Sequence, residues 1–133
     1  MKKNSYHDLL ALSEIKMARD MASLGQIRQR QQERSAQRVA IKEQARTEAS
    51  ALPDPSSADL MTYGKWLQWS EHRQMTLDHQ DSNDAPKLAA ARQALIRSFG
   101  ETQALQHLQE KADAKAKLQR ASLAERSGAP RDD

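Results

Sequence analysis

Leu52-Pro53-Asp54-Pro55-Ser56-Ser57 is the stretch on which the fold turns. Each proline lacks an N–H and restricts the residue before it, so a helix arriving from the N-terminal side must stop here. Before this break, Leu10, Met17, Met21 and Leu24 recur at sevens and at threes and fours. Ala11, Ile15, Ala18, Ala22 and Gly25 form an adjoining stripe, and together they make the seam of a two-stranded coiled coil. The seam fails between Arg28 and Arg38, where only Ala36 is apolar, and resumes at Val39, Ile41 and Ala45.

Beyond the break a second set of stop signals, Asp81-Ser82-Asn83-Asp84-Ala85-Pro86, suits a new helix start with Asp84 as cap and Pro86 in the first turn. Leu88, Ala91, Leu95 and Phe99 follow it, then Leu105, Leu108, Ala112, Ala116 and Leu123. Ser127-Gly128-Ala129-Pro130 ends the pattern. The chain therefore reads as one domain: an arm over 5–50, a connecting segment over 51–84 and a second arm over 85–126. Residues 127–133 read as a disordered tail. The connecting segment holds a short helix from about Leu60 to His79, capped by Asp59. Folding the arms antiparallel matches positions whose numbers sum to about 133, which sets Met17, Met21 and Leu24 against Leu108, Ala112 and Ala116. The expected fold is all-α: a long antiparallel two-helix coiled-coil hairpin with a short helix in its connection.

Composition agrees with long helices. Leu, Ile, Val and Phe are 20 of 133 residues, too few for a thick globular core, whereas Ala, Glu, Lys, Leu and Arg are 64. The absence of cysteine excludes disulfide scaffolds, cysteine-type zinc fingers and thiol catalysis. No apolar run approaches the roughly 20 residues of a membrane span, and no signal-peptide stretch follows Lys2-Lys3, so a soluble cytoplasmic protein is expected. Net charge is +3 overall, but two basic arms flank an acidic middle.

Three of the five aromatic residues, Tyr63, Trp66 and Trp69, fall within seven residues, with Leu67 among them. Steps of three keep these rings on one broad helical face. They either fold back as the only substantial core or anchor a partner, a role that Trp and Tyr favour. The second notable pattern is a basic ladder at steps of four: Arg30, Arg34, Arg38, Lys42 and Arg46. It reads as a solvated face, as a dock for an acidic protein, or as a nucleic-acid footprint. The nucleic-acid reading is disfavoured, because the aromatics sit apart from the arginines and no recognition motif accompanies them.

Catalytic patterns are missing. Gly64-Lys65 lacks the rest of a phosphate loop, and neither a Gly-x-Ser-x-Gly elbow nor His-Glu-x-x-His occurs. His72 and His79 share a face but sit roughly 10 Å apart along a helix, too far to ligate one metal. No catalytic residue, metal or cofactor is expected, and the chain reads as a non-enzyme.

The opening Leu9-Leu10-Ala11-Leu12-x-x-Ile15-Lys16 and its Gln/Arg-rich continuation resemble the small stalk proteins of bacterial type III export, the flagellar FliJ family and the injectisome YscO family. The resemblance extends to Tyr63-x-x-Trp66-Leu67-x-Trp69 and to Leu105-Gln106-x-Leu108-Gln109-Glu110-Lys111, and spans residues 5–120. It implies a non-catalytic stalk that enters a hexameric export ATPase by its paired arm ends and reaches the membrane export gate by its other end. It also implies binding of export chaperones by some members, and a cytoplasmic position peripheral to the inner-membrane apparatus. On this likeness Lys16, Arg19, Lys111, Lys115 and Lys117 would face the ATPase, and Tyr63, Trp66, Leu67 and Trp69 the gate or a chaperone. The alternatives are a basic nucleic-acid- or ribosome-associated helical protein and a self-associating structural coiled coil.

Overall fold

The structure is a computed structural model that describes residues 2–51 and 56–128, with side chains from Tyr6 onward. It consists of two α-helices, α1 (Lys2–Ser50) and α2 (Ser57–Gly128), and no strand occurs among the described residues. The helices pack antiparallel. The Leu52-Pro53-Asp54-Pro55 part of the break lies outside the described residues. At its far side Ser56 caps α2: its hydroxyl accepts the Asp59 N–H at 3.2 Å, and the Asp59 carboxylate accepts the Ser56 N–H at 3.3 Å. This reciprocal capping box corrects the expectation that Asp59 is itself the cap; Asp59 is the third helical residue.

The chain divides into two compact units, Met1–Ala22 with Gln93–Asp133 and Ser23–Arg92. In the first, α1 turns Tyr6, Leu10, Ser13, Met17 and Asp20 inward and leaves the described residues between them exposed. α2 answers with Leu95, Ser98, Thr102, Leu105, Gln109, Ala112 and Ala116. In the second unit the inward residues of α1 are Leu24, Ile27, Gln31, Arg34, Arg38, Ile41 and Ala45. On α2 they include Ser70, Gln74, Leu77, Asp81, Asp84, Leu88 and Ala91. Every step in these series is three or four, the 3.5-residue repeat that keeps one face turned to a partner helix. Leu77 is completely buried, and Leu24, Ile27 and Ile41 nearly so.

Two expectations are corrected. First, there is no separate short helix over 60–79 and no new arm at 85: α2 runs unbroken through Asp81–Pro86 and on through Ser127 and Gly128, with Pro86 inside it. Residues 129–133 of the expected tail lie outside the described residues. Proline in a helix removes one hydrogen bond, here the partner of the Ser82 carbonyl. That loss is local, whereas Leu77 before it and Leu88 after it both sit in the seam. Asp84, expected as a helix cap, is buried in mid-helix.

Second, the register is different. In the first unit Ser13 meets Thr102 and Lys16 meets Glu101, pairs whose numbers sum to 115 and 117. In the second, Arg30 meets Asp84, Arg34 meets Asp81 and Arg38 meets Asp78, summing to 114, 115 and 116. The expected 133 counted the whole of 51–84 as connection. Because α2 starts at Ser57, Met17 and Met21 instead line a groove with Leu95, Ile96 and Phe99. Met21, Val39, Phe99, Leu108 and Leu123, read as seam residues, lie outside it and are exposed.

Candidate functional site

The second unit contains a section where the seam is ionic. Arg34 Nε donates to Asp81 Oδ1 at 2.6 Å, and its Nη2 donates to Asp84. Arg30 grips both oxygens of Asp84 at 3.3 and 3.1 Å. Arg38 Nη2 donates to Asp78 Oδ1 at 2.9 Å and to Asp81. Positions four apart on α1 thus face positions three apart on α2, so Arg34 and Arg38 each bridge two carboxylates while Arg30 holds Asp84 alone. Arg34 and Asp84 are both buried. The hydrogen bonds from Arg30 and then Arg34 hold the Asp84 carboxyl down at about 2. Asp81 is lowered too, chiefly by Arg34, and the guanidinium groups of Arg34 and Arg38 are raised, chiefly by Asp81. Both signs of charge are fixed throughout the neutral range.

This arrangement splits the basic ladder. Arg30, Arg34 and Arg38 are consumed within the chain, so they do not form the continuous outward stripe that a phosphate track or an acidic dock requires. Lys42 and Arg46 are exposed. The partners, Asp78, Asp81 and Asp84, carried a signal in the sequence: three carboxylates three residues apart in the acidic middle, matched to arginines four apart. Asp84 instead reads locally as a helix cap.

The aromatic segment also lies in the second unit. Tyr63 and Trp66 stack with ring centroids 6.2 Å apart and planes 15° apart, both half-buried. Trp69 and Leu67 are exposed, Trp69 by 54%. The three rings therefore do not act as one face. The first two pack on each other and line an open notch of about 220 Å³ with Glu48, Asp59 and Thr62.

The first unit holds the arm-end residues. Lys16 pairs with Glu101 at 3.4 Å and lines a groove with Leu9, Leu12 and Leu105. Lys111 and Lys115 line a second groove with Tyr6, Leu108 and Ala116. Arg19 and Lys117 are exposed and line neither. The groove of Met17, Met21, Leu95, Ile96 and Phe99 is wholly apolar. The interior of this unit is in part polar: Thr102 donates to the Ser98 carbonyl at 2.7 Å, which leaves the Ser13 hydroxyl to donate to Thr102 at 2.6 Å.

Among the described residues no group of three metal-ligating side chains occurs, and no helix is long and apolar enough to cross a membrane. Comparison with protein-family models, curated proteins and solved structures gives no match.

Proposed function

We propose that this chain is a non-catalytic stalk or adaptor of a bacterial type III protein export apparatus, linking the export ATPase to the export gate and serving export chaperones. The observation that carries this reading is where the apolar side chains lie. Leu9, Leu12, Ile15, Met21, Ile96 and Phe99 are each about half exposed or more in the first unit, while Ser13, Ser98 and Thr102 occupy its interior. A helix pair that spends polar residues inside and leaves large apolar ones outside is suited to packing against other proteins. Lys16 lines the groove of Leu9 and Leu12, and Lys111 and Lys115 that of Tyr6 and Leu108; these lysines would meet the ATPase, whereas Trp69 and Leu67 supply exposed anchors for the gate or a chaperone. Of the alternatives, nucleic-acid binding is disfavoured by the commitment of Arg30, Arg34 and Arg38 to aspartates. Self-association through the apolar groove is the second reading, favoured by Met21, Ile96 and Phe99.

The test mixes the purified protein with the export ATPase of the same organism. Raised turnover or more hexamer supports the stalk reading; no effect on either, with sedimentation showing a stable homodimer, supports the second.

A further inference from the structure

We propose that the notch formed by Glu48, Asp59, Tyr63 and Trp66 receives the side-chain cation of an arginine or lysine from a basic segment of the partner. The inference rests on the reading of the aromatic segment as a docking site, and it names the chemistry of what docks.

The first support is the composition of the notch. Two carboxylates, one near the end of α1 and one in the first turn of α2, stand with a stacked Tyr–Trp pair around about 220 Å³ of open space. Aromatic faces attract cations within about 6 Å of the ring centroid, and Trp is the strongest of them. Neither Arg46 nor Lys65, the basic residues nearest in sequence, lines the notch. Glu48 forms no ion pair among the described residues, although Asp78, Asp81 and Asp84 in the same unit are all taken by arginines.

The second support is the helix end on which Glu48 stands. The C-terminal end of a helix carries partial negative charge and favours cations in its last turn. The last turn of α1 contains no basic residue and contains Glu48 instead. Glu48 therefore adds to the negative end of α1, whereas Asp59 is already set against the positive end of α2 through its capping box with Ser56. A cation seated against Glu48 relieves both charges together.

The experiment uses the full chain, ¹⁵N-labelled, whose two tryptophans give two indole N–H resonances, assigned with Trp66→Phe and Trp69→Phe. The probe is the acetylated, amidated peptide Gly-Arg-Gly-Arg-Gly, with citrulline or glutamate in place of arginine as controls. The arginine peptide is expected to shift the Trp66 resonance in a saturable way and to leave Trp69 nearly unmoved. Glu48→Gln should weaken that binding about fivefold, the value of one exposed charge contact. It should also leave helicity intact and melting temperature equal or slightly higher, because it removes the conflict with the helix end. Asp59→Asn, which retains a capping side chain, serves as the second variant. An unmoved Trp66 resonance, an equal response to the citrulline peptide, or unchanged binding by Glu48→Gln overturns the proposal. Peptide binding without any effect on the export ATPase or binding to the export gate would leave the notch standing and remove the export reading. Gate binding that ignores Glu48→Gln would do the reverse.

Discussion

Arg34 and Asp84 form a buried ion pair inside the heptad seam, their side chains only 9% and 8% exposed. Removing Asp84 leaves the buried Arg34 with Asp81 as its remaining carboxylate and strips Arg30 of its partner, while replacing both members of a buried pair by apolar residues costs little. Asp84→Ala is therefore expected to lower the melting temperature by roughly 10 °C. The double variant Arg34→Leu with Asp84→Leu should recover most of that loss, because Arg38 still holds Asp78 and Asp81. Thermal unfolding followed by circular dichroism distinguishes the two. Equal losses in single and double variants would mean that the pair contributes net stability beyond its own desolvation.

The same ladder fixes the acid response. Asp84 is lowered to about 2 by Arg30 and Arg34, and Asp81 is lowered as well. A carboxylate depressed in the folded state contributes stability that is complete above its unfolded value near 4 and is lost as pH falls through the folded value. Urea midpoints should be flat from these groups above about pH 5 and should fall between about pH 4 and pH 2. Asp84→Asn should shrink that acid limb. An unaltered limb in the variant would assign acid unfolding to other carboxylates.

The polar layer of the first unit offers a cleaner double-mutant cycle. Ser13 donates to Thr102, which donates to the Ser98 carbonyl. Thr102→Val leaves the Ser13 hydroxyl without its acceptor and should cost about 1–3 kcal/mol. Ser13→Ala with Thr102→Val removes both groups and should fall within about 1 kcal/mol of the parent. A double variant as unstable as Thr102→Val alone would show that the loss lies in packing of the β-branched side chain rather than in the hydroxyl pair.

These relationships explain what was legible in the sequence. Leu10, Met17 and Leu24 recur at sevens, and Leu88, Ala91 and Leu95 at threes and fours, so the two helices and their pairing could be read from period alone. The register could not. Asp-Ser-Asn-Asp-Ala-Pro carries every local signal of a helix end, yet α2 continues through it. The deciding interaction is cross-helix, between Asp81 or Asp84 and arginines about fifty residues earlier. Matching apolar residues to apolar residues across the arms then selects a wrong alignment, because here a polar section of one helix pairs with a polar section of the other. The aromatic cluster was legible as a feature, but not that Tyr63 and Trp66 stack and are half-buried while Trp69 stays exposed.

Exposure separates two large apolar residues of the helix pair. Leu77 is completely buried, and Leu77→Ala should cost about 2–5 kcal/mol through lost burial and a residual cavity. Met21, also apolar and close to the seam of α1, is 56% exposed. Met21→Asp should change stability by less than about 1 kcal/mol and leave helicity intact. Urea unfolding of both variants checks this, and strong destabilisation by Met21→Asp would restore it to the seam.

That contrast makes the two proposed docking regions separable in function. Trp69 is exposed, so Trp69→Ala removes a surface anchor without opening the interior, whereas Trp66→Ala also breaks the stack with Tyr63. If Trp69 anchors the export gate or a chaperone, its truncation should weaken that binding by about 2 kcal/mol, close to thirtyfold. Its melting temperature and its stimulation of the export ATPase should stay unchanged. Charge reversal at Lys111 and Lys115, which line one groove of the first unit, should abolish stimulation and leave gate binding intact. Titration of the gate domain by calorimetry and steady-state ATPase assays measure the two effects on the same preparations. If folded variants of both kinds lose both activities, the two regions are one functional surface and the stalk assignment fails in its present form.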